Sequence, residues 1–278
     1  AVLDRLEQAL RRESRDFPVG SRLRGLGAWL LAVLPVTALA AWLSRGPAAG
    51  WLDALLLWFA LGGRSLRYRS ALLVNDNLLI DFGPDILAAA QRFNRNLSLV
   101  TTGLVTHAHM DHFDTGNFEM RRDDFTARLD IPTLHLFGPQ EVTARPEQIS
   151  PDPSRLRLQL RTVHAFDTWR SDGYTIIAYR ACHALGSLEA LFYSIDDGRH
   201  SFLYATDTGP FPVDTWQALA GKTFDVIILE ETMGTGNYEQ HMGIDDFLQT
   251  AQRIRAEGML RPGGRLVAHH MSHTSNPT

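Results

Sequence analysis

The sequence predicts an α/β domain that follows an apolar helical segment, and three observations carry that expectation. Short apolar runs with strand character recur from Ser70 onward, and several end abruptly in His or Asp. One stretch, Gly243 to Gly258, has the spacing of an amphipathic helix, with Phe247, Ala251 and Ile254 on one face. Near the beginning, Gly25 to Leu43 runs without a charge.

The composition sets the limits. With 278 residues, 45% of them hydrophobic, the chain holds one large domain or two ordinary ones. A net charge of −4 argues against general nucleic-acid binding. The single cysteine, Cys182, forms no internal disulfide; it adjoins His183 but alternation turns it to the other face, as packing. The first residue is Ala, which suggests a processed product or a fragment.

Taken in order, the first segment is basic: Arg5, Arg11, Arg12, Arg15, Arg22, Arg24, Arg45, Arg64, Arg67 and Arg69 outnumber Asp4, Glu7, Glu13, Asp16 and Asp53. Asp4 to Arg15 reads as a short charged helix. Gly25 to Leu43 is long enough to cross a bilayer core, with Trp29 and Trp42 near its ends and a tolerated Pro35. A second apolar run, Ala54 to Leu61, is too short to span unless it recruits Pro47 to Leu52. Arginines before the first run and after the second would place both ends of such a hairpin in the cytoplasm. A secretory signal ending near Ala38-Leu39-Ala40, or a soluble core helix, are the rival readings. Residues 1–54 are therefore expected to be helical and membrane-associated, tethering a cytoplasmic domain of residues 55–278 to the inner membrane. Leu56 to Gly63 reads either as that domain's first strand and turn or as the end of a membrane helix.

Further along, Ser70–Val74 and Asn77–Asp81 flank Asn75-Asp76, a hairpin signal. From the residues alone, Asp81 then reads as the cap of a helix over Pro84 to Arg92. Gly103 to Thr106 is a strand feeding into His107-Ala108-His109-Met110-Asp111-His112. In extended chain, side chains two apart share a face, so His107 and His109 point together. Asp111 and His112 come off the following turn. Imidazole with carboxylate suits zinc, with manganese or iron as alternatives, rather than calcium.

Ile131–Phe137 is a buried strand on which His135 is structural. His164 and His200 have no supporting context. Tyr174–Arg180 alternates as a strand and delivers His183. Leu191–Ile195 and Phe202–Ala205 flank Asp196-Asp197-Gly198, another hairpin, and the second strand ends in Thr206-Asp207-Thr208. Phe224–Leu229 is a near-continuous apolar strand before Glu230, and Arg265–Ala268 a strand ending in His269-His270-Met271-Ser272-His273.

From about Arg67, or Leu55, to the end, the His-x-His-x-Asp-His run and these strand-end residues resemble the metallo-β-lactamase fold superfamily of metal-dependent hydrolases. The resemblance implies a four-layer αββα sandwich with two divalent metals at one edge of the sheets. It implies His107, His109 and His183 at one metal and Asp111, His112 and His270 at the other, with Asp207 bridging and His269 as the rival to His270. It also implies that Asp81 orients a ligand histidine. The Thr206-Asp207-Thr208 and His270-to-His273 elements, with a Glu230…His241 pair, are similar to the phosphodiesterase branch of phosphoribosyl cyclic phosphodiesterases and tRNA 3′-processing endonucleases.

The expected chemistry is attack on a small phosphodiester by hydroxide held between two metals roughly 3.5–4 Å apart. His241 or His273 would be the acid for the leaving group, and Asp111 and Glu230 count with them among the catalytic groups. Acyl hydrolysis of a lactone, thioester or β-lactam is the enzymatic alternative. A fused or decayed gene product without activity is the other. That last reading arises because LDRLEQALRR, RLRGLGAWLLAVLPVTALA and WLDALLLWFALGGRSL, between about Leu3 and Leu66, are similar to part of the cobalamin-biosynthesis membrane protein adenosylcobinamide-phosphate synthase.

Overall fold

A computed structural model describes residues 67–122, 130–146, 150 and 152–272. The expected membrane segment Gly25–Leu43, the candidate first strand Leu56–Gly63 and His273 all lie outside the described residues. Among the described residues no helix is long and apolar enough to cross a membrane. The chain divides between Arg67 and Tyr68, and the unit from Tyr68 onward is the one described below.

Two sheets form this unit. The first has the order β1-β2-β3-β4-β5, comprising Leu72–Val74, Leu78–Ile80, Thr102–Leu104, Leu134–Gly138 and Leu158–Thr162. β1 and β2 are antiparallel across Asn75 and Asp76, both at positive φ, as a tight two-residue hairpin requires. β2 through β5 are parallel. The second sheet has the order β11-β10-β9-β8-β7-β6: Leu260–His269, Phe224–Glu230, Ser201–Ala205, Leu191–Asp196, Tyr174–Arg180 and Thr168–Ser171. β6 to β9 form an antiparallel meander, and β9, β10 and β11 are parallel.

Three apolar clusters separate four layers. Leu78, Ile80, Leu104 and Phe137 of the first sheet meet Ile176, Leu191, Tyr193 and Tyr204 of the second. The other face of the first sheet, through Leu79, Leu134 and Leu136, packs on α1 (Ile86–Arg92), α2 (Gly116–Glu119) and α3 (Gln140–Thr143). The other face of the second, through Phe192, Leu203, Ile227 and Leu229, packs on α4 (Val213–Leu219) and α5 (Ile244–Ala256). Burying both faces of each sheet explains why β2 and β10 read as continuous apolar runs rather than alternating ones.

Several boundaries differ from the sequence expectation. β4 begins at Leu134, not Ile131, because Pro132 supplies no amide proton to the ladder. β11 starts at Leu260, earlier than Arg265: Leu260 pairs with Phe224, and the extra residues Pro262-Gly263-Gly264 are absorbed by a register shift before Val226. β5, β6 and α2 to α4 are additional elements.

The directions of the strands decide where the chemistry sits. β2 and β3 run parallel, and so do β7, β9, β10 and β11, since two antiparallel steps restore direction. The two sheets are stitched at one edge by the Leu191 amide donating to the Thr106 carbonyl at 2.9 Å and the Tyr193 hydroxyl donating to the Val105 carbonyl at 2.7 Å. The C-terminal ends of β2, β3, β7, β9, β10 and β11 therefore converge there.

Candidate metal centre

Each of those strands releases one polar residue as it ends. β2 gives Asp81, β7 is followed by His183, β9 by Asp207 and β11 by His270; Glu230 is the last residue of β10, and β3 runs on into His107. Asp81, Ala184, Asp207 and His270 all have positive φ, between 49° and 63°. The left-handed region normally costs an L-residue roughly 1–2 kcal/mol, least for Asp, Asn and His. Concentrated local strain of this kind is a feature of functional sites.

Three imidazoles meet on one side. His107 Nε2 stands 2.9 Å from His109 Nδ1, which is 3.2 Å from His183 Nε2. The opposite nitrogens fix the tautomers. His183 Nδ1 faces the Gln240 carbonyl at 3.2 Å, an acceptor only, so it carries the proton and Nε2 keeps its lone pair. The Thr106 hydroxyl donates to Asp81, so it accepts from His107 Nδ1 at 3.0 Å and leaves His107 Nε2 bare as well. Burial holds both the His107 and His183 imidazoles below their ordinary value, His107 well below.

On the other side, His112 Nδ1 donates to Asp81 Oδ2 at 2.8 Å, and His112 Nε2 lies 2.9 Å from Asp207 Oδ2. His270 Nε2 approaches the same oxygen at 3.2 Å, and Asp111 Oδ2 is 3.7 Å from His112 Nε2. Burial would lower His112 and raise Asp207. The charges win: Asp207 and Asp81 hold His112 well above its ordinary value, and His112 and His270 hold Asp207 well below its own. Asp81 is pushed up by burial, against the pull of His112.

These donors fit a divalent cation. The His112 Nε2 atom is buried and makes no aligned hydrogen bond, although Asp207 Oδ2 is 2.9 Å away. A buried imidazole nitrogen and a carboxylate oxygen that close, off the line a hydrogen bond needs, are satisfied by a cation that displaces the Nε2 proton and sits between them. His107, His109 and His183 form one group with ligand atoms within 4.8 Å, and His107, His112 and Asp207 another. Mixed imidazole and carboxylate donors are those of zinc, manganese or iron.

Beside this centre lies the Glu230–His241 pair. His241 sits on the loop between β10 and α5, closed by the Thr232 and Met233 amides donating to the Met242 carbonyl at 3.0 Å. Its Nδ1 is 2.5 Å from Glu230 Oε1. Burial would lower the imidazole, but the Glu230 hydrogen bond and charge raise it above its ordinary value. Tyr238 stacks on the ring at 5.8 Å. The ligand atom of His241 also falls within the group formed with His183 and Asp207.

The structure thus brings together His107, His109, Asp111, His112, His183, Asp207, His270, Glu230 and His241. The helix-cap reading of Asp81 is replaced: Asp85 occupies the N-cap of α1, while Asp81 receives the Thr106 amide and hydroxyl and His112 Nδ1. It is His270 that reaches Asp207; the His269 ring lies against Tyr204 at 5.8 Å, and burial lowers it to about 4. His164 and His200 are exposed, beside Glu189 and Asp197. Cys182 points to the Glu239 carbonyl at 3.5 Å. The links from Thr106 to Asp81 and from Thr232 to His270 had no signal in the sequence, because those partners are distant in the chain.

Comparison with known proteins finds relatives of two kinds. A curated cobalamin biosynthesis protein CobD from Stutzerimonas stutzeri (strain A1501) is 50% identical over 66 residues, 23% of this chain and 21% of that protein. The chain therefore spans only about a fifth of this relative's length. Among solved structures, a diphosphatase from the PhnP family superposes with a TM-score of 0.60 at 19% identity, covering 78% of this chain and 77% of that one. Human tRNase Z, short form, gives 0.56 at 16% identity, covering 75% and 90%. The family model described as the beta-lactamase superfamily domain matches residues 76–271, every strand-end residue above included, and the chain belongs to that family.

Proposed function

We propose that this protein is a dinuclear metal-dependent phosphodiesterase acting on a small phosphodiester, its hydrolase domain running over 55–278. His107, His109 and His183 would hold one divalent cation, zinc first, and Asp111, His112 and His270 the other, with Asp207 between them. Bound there, such cations lower the pKa of water toward neutrality and polarise a phosphoryl oxygen.

The chain's own groups supply the rest. Asp81 and Thr106 accept from Nδ1 of His112 and His107, which directs Nε2 of each ring at the metal centre. Glu230 keeps a proton on His241, which delivers it to the departing oxygen; proton delivery by a positioned group contributes typically ~10²–10⁴-fold. The observation that carries the phosphodiester reading is this Glu230–His241 pair at 2.5 Å, set against the metal-binding donors. An alkoxide leaving group needs such an acid. A diphosphatase and a tRNase Z stand among the similar structures, in support of phosphoryl chemistry.

The test is metal content and hydrolysis of bis(p-nitrophenyl) phosphate by the purified chain. About two cations per chain are expected, with both metal and hydrolysis lost in His109→Ala. Full hydrolysis by metal-free His109→Ala would refute the reading. A metal-loaded protein that cleaves a lactone or thioester but no phosphodiester would move it to acyl hydrolysis.

A further inference from the structure

Glu230 is fully buried and holds three partners. Its Oε2 accepts the Thr208 amide, next to Asp207, and its Oε1 accepts both His241 Nδ1 and the Thr232 hydroxyl, the latter at 2.6 Å. Thr232 Oγ1 is also 2.6 Å from His270 Nδ1 and 3.0 Å from the His270 carbonyl.

A hydroxyl has one proton to give. Glu230 and the His270 carbonyl are both acceptors, so whichever takes it, Oγ1 meets His270 Nδ1 with a lone pair. The ring must then donate from Nδ1. Were the hydroxyl proton turned to Nδ1 instead, Oγ1 and an ionised Glu230 oxygen would face each other at 2.6 Å with nothing between them. Nδ1 of His270 is thereby committed to Thr232, and Nε2 is the nitrogen directed to Asp207 Oδ2 at 3.2 Å.

The backbone builds this contact. β10 and β11 are parallel neighbours with Glu230 opposite His269, which sets the residues beyond each strand end side by side. The positive φ of His270 then turns its ring back across Thr232.

We infer that Thr232 is a positioning residue for the second cation: its hydroxyl transmits the Glu230 carboxylate to His270, so that one buried acid serves both the metal side and His241. This rests on the dinuclear reading above. Orienting groups behind a metal-bound histidine typically change affinity by about 10–100-fold.

The experiment is zinc binding by the full chain, read by native mass spectrometry and by competition with a chromophoric chelator, for wild type, Thr232→Val and Thr232→Ser. Thr232→Val should keep the first zinc and bind the second ~10–100-fold more weakly, and Thr232→Ser should recover wild-type affinity. Wild-type affinity at both sites in Thr232→Val, equal weakening at both, or a Ser variant no better than Val would each overturn the inference. If Thr232→Val fails to fold by circular dichroism, Thr232→Ala is read by the same criteria. A wild type that takes no zinc would overturn the dinuclear reading itself, a result distinct from any failure of the Thr232 variants.

Discussion

On one side of Asp207, His109 Nδ1 lies 2.9 Å from His107 Nε2 and 3.2 Å from His183 Nε2, and burial keeps the His107 and His183 rings neutral. On the other side, His112 is gripped between two carboxylates that hold its proton well above the ordinary imidazole range. In the first half, the unprotonated Nε2 atoms of His107 and His183 are already turned to one point beside His109 Nδ1, as a cation there would need. In the second, a proton sits where the cation would go, and binding must expel it. Two sites built from the same residue types can therefore differ in when they fill.

The largest test of that contrast is to remove the shared carboxylate. Asp207→Ala should leave at most one cation, on the three-histidine side, and reduce phosphodiester turnover to background. Retention of both metals by elemental analysis would break the division into halves. Next, His241→Ala should keep its metals yet slow alkyl phosphodiesters by about 10²–10⁴-fold, with a much smaller penalty for p-nitrophenyl esters. An equal penalty on both substrates would make His241 a binding group instead of an acid.

Asp81→Asn should sharpen the comparison. It removes the charge behind His112 and should weaken the second cation by about 10–100-fold while sparing the first. The smallest expected effect is the pH response. Because His112 is raised, second-site affinity should climb by up to about tenfold per pH unit above 6.5, until pH passes the raised value. The first site should change little there, since His107 and His183 are already neutral. Parallel loss of both metals on acidification, followed by chelator competition at each pH, would contradict the assignment.

What could be read from the sequence divides along physical lines. Strand ends announced themselves because an apolar run gives way to polar residues, as before Asp81, His183, Asp207 and His270. The Asn75-Asp76 and Asp196-to-Gly198 turns were legible from turn chemistry. β6 was not, since Trp169 is its only buried side chain. The start of β11 was hidden because Pro262-Gly263-Gly264 reads as a turn and only the pairing with β10 makes it a strand. The links from Thr106 to Asp81 and from Thr232 to His270 were invisible for a deeper reason. A threonine's local sequence carries no record of a partner 25 or 38 residues away, and a hydroxyl commits to one only after the strands are packed.

The left-handed corners at Asp81, Asp207 and His270 carry one more consequence. They join the choice of metal ligand to the choice of backbone. Asp, Asn and His tolerate this conformation, whereas most other side chains meet a penalty of roughly 1–2 kcal/mol before any metal is considered. Retuning this centre with glutamate or cysteine at those corners would first have to overcome the shape of the main chain. Asp207→Asn keeps the corner and Asp207→Glu does not, so the pair separates the contribution of the bend from that of the charge.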